Sequence, residues 1–151
     1  MIYVLVAAVI FGLDYCVKQY IEDHKDEGEA EDICGGRIVL RRLSNRGSAG
    51  GFFADKSDAV RVAVSTIMGC MGIHFFLLLF QKGQKWTKFA YALILGGGLS
   101  NMVDRYQKGY VTDYFSFKVK WKKLKRLVFN LSDMFILLGC AILVVAGLKK
   151  K

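Results

Sequence analysis

Two aspartates, Asp113 and Asp133, are the residues of this chain whose surroundings point most directly to chemistry. Each lies against an apolar segment of membrane length, in the sequences GYVTDYF and FNLSDMF. A carboxylate close to hydrocarbon is energetically costly, so an acidic residue there is a candidate functional residue. Two aspartates that face each other across a small gap share one proton, because like charges disfavour joint ionisation. The ionised member can take a proton from water while the protonated member polarises a carbonyl. This is peptide hydrolysis without a covalent intermediate.

Other polar side chains lie beside the same segments at helical spacing. Asn101 and Asp104 are three residues apart in GGGLSNMVDR and so share a helix face, and Asn130 and Asp133 repeat this spacing. Arg105 adds a planar, permanently charged donor suited to bracing a carboxylate or backbone carbonyls. Taken singly, each motif is explained by helix capping and packing. Their convergence on one place would indicate a site.

The composition favours a membrane protein. The chain has 151 residues, 54% of them hydrophobic, with a mean hydropathy of +0.31 and a formal net charge of +9. It contains no proline, so no apolar segment carries a built-in kink. We therefore predict a single membrane domain over residues 1–151, an all-α bundle of four transmembrane helices with a small β-sheet at the membrane surface.

The four helices are predicted from apolar segments that are long enough to cross a bilayer. They occupy residues 1–21, 59–80, 86–103 and 129–148. The first lacks a basic leading region and a small-residue cleavage site, which indicates an uncleaved span. Within it, Asp14 and Lys18 have the i, i+4 spacing of a helical ion pair. Gly96, Gly97 and Gly98 would let the third helix approach its neighbours closely.

Alternating topology brings the polar residues to one side of the membrane. The loops on that side are residues 22–58 and 104–128. Residues 37–43 and 110–119 are rich in β-branched and aromatic residues and predict two short strands that pair. Residues 22–36 predict a solvated loop. Residues 22–32 within it, EDHKDEGEAED, form an acidic segment.

Several other chemistries find little support in the sequence. The four cysteines have no metal-ligand spacing, and only carboxylates are available at the polar side, so we predict no metal and no cofactor. His24 and His74 are far from that side in sequence or depth, which argues against a nucleophile activated by histidine. The basic run at residues 118–126, KVKWKKLKR, adjoins apolar spans. It therefore favours membrane lipid headgroups over nucleic acid as a partner.

Five motifs in order along the chain resemble a known family. They are Asp14 with Lys18, NRGSAG at residues 45–50, SNMVDR at residues 100–105, GYVTDYF at residues 109–115 and FNLSD at residues 129–133. Together they resemble signal peptidase II, the bacterial lipoprotein signal peptidase, across essentially the whole chain. Each motif alone is weak, whereas five in order with matching topology are specific.

The resemblance implies an aspartic endopeptidase of the bacterial cytoplasmic (inner) membrane, a multi-pass protein with its active site on the outer face. It therefore also implies that the β-sheet and the loops at residues 22–58 and 104–128 are extracytoplasmic. Such an enzyme removes signal peptides from prolipoproteins, cutting before a cysteine that already carries diacylglycerol. By this resemblance, Asp113 and Asp133 are the catalytic dyad, and a cyclic lipopeptide antibiotic would act as an inhibitor. The resemblance also implies a set of substrate-binding or supporting residues: Asp14, Lys18, Asn45, Gly47, Asn101, Asp104, Arg105 and Asn130.

The chain departs from the family pattern at a few positions. Gly50 stands where an aromatic residue is usual, Ser132 where alanine is common and Ser100 where glycine is common. These departures and the acidic segment leave open a divergent protease with altered substrates. A non-catalytic scaffold that binds lipid through the basic run is a further alternative.

The charge distribution gives two answers about orientation. Six lysines and arginines in residues 22–58 and eight in residues 104–128 stand against six at the opposite end of the bundle. Because cytoplasmic loops are enriched in these residues, the raw count puts the polar side in the cytoplasm. The short opposite loops carry them at higher density, which agrees with the outer face that the resemblance implies.

Overall fold

The computed structural model describes residues 1–47, 57–119, 121 and 127–149. Within these ranges the chain forms four long helices and three short strands. The helices are α1 (Ile2–His24), α2 (Ser57–Leu79), α3 (Lys85–Gln107) and α4 (Leu131–Leu148), and the strands are β1 (Ala30–Ile33), β2 (Ile38–Asn45) and β3 (Val111–Phe117). Each helix lies where an apolar segment predicts it, with ends that differ by up to four residues.

Three consecutive glycines make α3 the centre of the bundle. A methyl group at Gly96 would lie 2.6 Å from the Ala7 carbonyl oxygen of α1, and one at Gly97 would lie 2.7 Å from the Ser132 carbonyl oxygen of α4. A methyl group at Gly98 would overlap the Met68 side chain of α2. The predicted close approach is confirmed, and each glycine of the run faces a different helix.

One end of the bundle encloses polar side chains, whereas the outer surface is largely apolar. The largest fully buried side chains are almost all at the polar end: Lys18, Asn130, Thr112, Asp14, Asp104, Ser100, Ser116 and Ser132. Large apolar side chains such as Val62, Phe76 and Leu137 are more than half exposed. This distribution is that of a bundle whose outer surface faces hydrocarbon.

Among the described residues, three helices are long and apolar enough to cross a membrane: α1, α2 and α4. The helix α3 has the same length as α1 and α2 but a more polar composition at its C-terminal end, where Ser100, Asn101 and Asp104 lie. That α3 also crosses the membrane stays a prediction.

The strands form one antiparallel sheet in the order β1-β2-β3. The pairing of β2 with β3 confirms the two predicted strands, with Ser44 opposite Thr112 and Asn45 opposite Val111. The solvated loop predicted for residues 22–36 is wrong in two respects. The helix α1 continues to His24, and Ala30–Ile33 pairs with β2 as a third strand, so the acidic segment is structured.

Candidate active site

Asp113 lies on β3 and receives one amide donor on each carboxylate oxygen. Asn130 Nδ2 donates to Oδ1 at 2.7 Å, and Asn45 Nδ2, from the neighbouring strand β2, donates to Oδ2 at 2.9 Å. Asp113 is only 3% exposed. A buried carboxylate needs such donors because it has lost its hydration.

Asp133 is the third residue of α4, where the backbone requires capping. Its Oδ2 accepts from the Asn130 backbone N–H at 3.2 Å, while Asn130 Oδ1 accepts from the Asp133 N–H at 2.9 Å, which completes a capping box. Its Oδ1 accepts from Asn101 Nδ2 of α3 at 3.2 Å. One motif, FNLSD, therefore starts the helix and presents the carboxylate.

The three asparagines of the site are each held in one orientation. A donor faces the amide oxygen of each: Lys18 Nζ for Asn101 at 2.7 Å, the Asp133 N–H for Asn130 at 2.9 Å and the Gly47 N–H for Asn45 at 3.0 Å. An ammonium or backbone N–H cannot accept, so each amide oxygen must face it. Each NH₂ group is thereby directed at an aspartate, and the two carboxylates are held by three pre-oriented amides.

The electrostatic environment favours a proton on Asp113. Burial away from water, followed by the negative charge of Asp133, raises the pKa of Asp113 to about 7. The hydrogen bonds from Asn45 and Asn130 oppose this shift, because they favour the ionised form. At neutral pH the site can therefore hold a proton on this carboxyl group.

Behind the aspartates lies the predicted ion pair of α1. Lys18 Nζ is 2.8 Å from Asp14 Oδ2 and 3.1 Å from Asp104 Oδ2, and its side chain is fully buried. It also donates to Ser100 Oγ at 3.2 Å and to the Asn101 amide oxygen. Lys18 therefore connects the buried carboxylates to the amide that donates to Asp133.

Asp14 anchors the start of α4. Its Oδ1 accepts from the Ser132 N–H at 3.1 Å and from the Tyr114 hydroxyl at 3.0 Å, and its Oδ2 accepts from the Ser132 hydroxyl at 2.6 Å. The Ser100 hydroxyl adds a fourth bond at 2.6 Å. Tyr114 in turn accepts from the Leu131 N–H at 2.8 Å. The first three N–H groups of α4 therefore all have partners, which a buried helix end requires.

Arg105 links α3 to Gly47, which follows strand β2. The guanidinium donates to the Asn101 carbonyl oxygen and to the Gly47 carbonyl oxygen, both at 3.1 Å. The planar guanidinium of Arg105 therefore binds backbone carbonyls, one of the two kinds of partner expected for it. The remainder of the NRGSAG motif, including Gly50, lies outside the described residues, as does most of the basic run.

The structure thus brings together all ten residues selected from the sequence. It also adds residues that sequence reasoning passed over: Ser100, Ser132, Tyr114, Thr112, Glu22 and Lys108. Ser100 and Ser132 were visible as departures from the family pattern, whereas the others gave no local signal. In the part of the chain that the structure describes, no three His, Cys, Asp or Glu side chains are grouped as metal ligands would be.

Comparison with known proteins agrees with this geometry. A family model described as signal peptidase (SPase) II matches residues 6–149. A lipoprotein signal peptidase from Pasteurella multocida is 33% identical over 96% of this chain and 87% of the relative. One from Streptococcus pneumoniae is 29% identical over 97% of this chain and 92% of the relative.

Two solved structures of bacterial membrane enzymes have the same fold. One has a TM-score of 0.83 and covers 97% of this chain and 87% of its own, and the other has a TM-score of 0.81 and covers 99% and 94%. Both are 20% identical in sequence, so they bear on the fold alone.

Proposed function

The chain belongs to the signal peptidase II family and is an aspartic endopeptidase of lipoprotein processing, and we propose that Asp113 and Asp133 are its catalytic dyad. The family match favours the peptidase over the non-catalytic scaffold. The observation that carries the assignment of the dyad is the set of three oriented amides, from Asn45, Asn101 and Asn130, directed at these two carboxylates.

In the proposed reaction the two aspartates have different protonation states. Ionised Asp133 takes a proton from the attacking water, and the proton on Asp113 polarises the scissile carbonyl oxygen. A tetrahedral intermediate forms and collapses, and the leaving amine receives the proton held by Asp133. The raised pKa of Asp113 supports this division, since its carboxyl group stays protonated up to about pH 7. Because the two groups interact, the dyad titrates as a unit.

The remaining site residues support the dyad without reacting. We assign Asn45, Asn101 and Asn130 to orienting the carboxylates, and Asp14, Lys18 and Asp104 to fixing Asn101 and the start of α4. We assign Arg105 and Gly47, which are joined by a hydrogen bond, to binding or supporting the substrate.

The protein is a multi-pass membrane protein, and we propose that α3 is its fourth span. Its 23 residues would rise about 35 Å, which exceeds a typical hydrocarbon thickness of about 30 Å. Because α3 is enclosed by the other helices, its small and polar residues avoid lipid. We further propose that the sheet and the dyad lie on the outer face of the bacterial inner membrane.

The substrates are prolipoproteins, and the proposed cleavage precedes the diacylglyceryl-modified cysteine. A dyad at the membrane surface suits this substrate, because its lipid and its apolar signal sequence both stay in the bilayer. We propose the cyclic lipopeptide antibiotic as an inhibitor that occupies the dyad, and membrane lipid headgroups as partners of the basic run.

Replacement of the aspartates tests the assignment. In cells that lack any other copy, Asp113→Asn and Asp133→Asn are expected to accumulate the diacylglyceryl-modified precursor, whereas the exposed control Asp23→Asn processes it normally. Wild-type levels of mature lipoprotein in both aspartate variants would contradict the dyad.

A further inference from the structure

The acidic segment (residues 22–32) contributes two glutamates that contact the sheet from behind. Glu27 accepts from the Ser44 N–H at 2.7 Å through Oε1 and from the Ser44 hydroxyl at 2.8 Å through Oε2. Glu22 accepts from the Thr112 hydroxyl. These contacts join residues 17 and 90 positions apart in sequence.

The two residues that the glutamates hold are cross-strand partners. Ser44 of β2 lies opposite Thr112 of β3 in the antiparallel register. Each of them immediately precedes a residue of the proposed site: Ser44 precedes Asn45, and Thr112 precedes Asp113. Successive side chains of a strand point to opposite faces, so the glutamates bind one face and the site occupies the other.

Further contacts fix the glutamates themselves. Lys108 Nζ lies 2.8 Å from Glu22 Oε1 and 2.9 Å from Asp104 Oδ1, so it joins the end of α1 to the end of α3. Arg42 donates to the carbonyl oxygens of Glu22 and Lys25 at 2.9 and 3.0 Å, which ties the acidic segment to β2. Asp104 Oδ2 accepts from the Thr112 N–H at 3.1 Å. Both the backbone and the hydroxyl of Thr112 are therefore anchored.

We propose that Glu22 and Glu27 are positioning residues, which hold Thr112 and Ser44 so that Asp113 and Asn45 keep the geometry needed for cleavage. The proposal rests on the assignment of the dyad. It gives the acidic segment a role in the reaction rate without contact to substrate, because Asn45 and Asp113 lie diagonally across two strands whose relative position the glutamates set. A displacement of about 1 Å at a catalytic group can lower a rate about 100-fold.

Paired variants separate positioning from mere stability. Thr112→Val keeps the shape of the side chain but removes the hydroxyl, whereas Thr112→Ser keeps it. Glu27→Ala removes the acceptor, whereas Glu27→Gln keeps an amide oxygen for the Ser44 N–H. Glu31→Ala is the matched control, because Glu31 belongs to the same segment and pairs only with Lys25 among the contacts described.

The measurement is kcat and KM for a synthetic diacylglyceryl-modified precursor, with the purified full-length chain in lipid. We expect Thr112→Val and Glu27→Ala each to lower kcat about tenfold, because each variant loses the hydrogen bonds that hold its strand. The KM of both variants should stay within about twofold of the wild-type value. Thr112→Ser, Glu27→Gln and Glu31→Ala should stay near wild type. Unchanged kcat in both disruptive variants, or a loss that appears only in KM, would overturn the proposal.

The same assay distinguishes this proposal from the assignment of the dyad. If Asp113→Asn is inactive while Thr112→Val and Glu27→Ala are fully active, the dyad stands and the positioning role fails. If Asp113→Asn cleaves at the wild-type rate, the dyad itself is wrong. A kcat loss that Thr112→Ser and Glu27→Gln share with the disruptive variants would also count against positioning through these hydrogen bonds.

Discussion

Replacement of Asn101 by leucine tests how strongly the oriented amides matter. The side chain is 7% exposed and makes three hydrogen bonds: it accepts from Lys18 at 2.7 Å and from Asn130 at 3.1 Å, and it donates to Asp133 at 3.2 Å. Leucine has a similar volume but no polar atoms. Asn101→Leu therefore removes the donor of Asp133 Oδ1 with little change in packing.

The magnitude follows from the lost bond to Asp133. A hydrogen bond to a charged group contributes about 1.5–3 kcal/mol. If that contribution is realised while Asp133 takes the proton from water, kcat falls about 10- to 150-fold, since about 1.4 kcal/mol corresponds to tenfold. The loss of the Lys18 contact adds a stability cost, which a melting curve of the purified protein measures separately.

The assay is single-turnover cleavage of a diacylglyceryl-modified precursor by the purified variant. Gln107→Leu is the control, because it removes an exposed amide six residues further along α3. Asn101→Asp is informative beside it, since a carboxylate could still accept from Lys18 and Asn130 but could not donate to Asp133. If folded Asn101→Leu cleaves within twofold of wild type, the account of the oriented amides is refuted.

The geometry also predicts the pH dependence of the reaction, the effect of altered helix packing and the side of the membrane on which the sheet lies. Because the proposed reaction needs protonated Asp113, whose pKa is raised to about 7, kcat should fall as pH rises through about 7. Asn45→Ala should move that limb of the pH–rate profile to higher pH, because it removes a hydrogen bond that favours the ionised form of Asp113. A shift to lower pH would contradict this assignment. Gly97→Ala should force α3 away from Ser132 and lower the melting temperature at a cost of about 1–3 kcal/mol, whereas Gly72→Ala, with open space around it, should not. Cys34 should react with a membrane-impermeant maleimide in intact cells or spheroplasts when Cys16, Cys70 and Cys140 are replaced by alanine, and labelling only after lysis would reverse the proposed orientation.

Spacing along helices made most of the site predictable. Asn101 and Asp104 are three residues apart, so helical geometry puts them on one face, whereas Asn130 and Asp133 meet through the capping box that begins α4. Alternating topology then brought these faces to one end of the bundle. The β-branched character of β2 and β3 was likewise readable from the chain, and the ends of both strands differ from the predicted ones by two residues or fewer.

The parts that could not be predicted depend on contacts between distant residues. The strand β1 has only four residues, AEDI, two of them acidic, and it forms because β2 offers it a partner. Glu22 and Glu27 read as solvated charges, since nothing local indicates Thr112 or Ser44 as their partners. The polar end of α3 is tolerated because three other helices enclose it, which is a property of the assembled bundle.

The central claim is that Asp113 and Asp133 act as one unit, and non-additivity tests it most directly. Purified Asp113→Asn, Asp133→Asn and the double variant are compared in single-turnover cleavage of a diacylglyceryl-modified precursor. Each single replacement should lower the rate about 10⁴-fold or more, and the double variant should be no slower than the singles, because groups that act together are lost together. Rates that multiply in the double variant, or more than a tenth of wild-type activity in either single variant, would contradict the account.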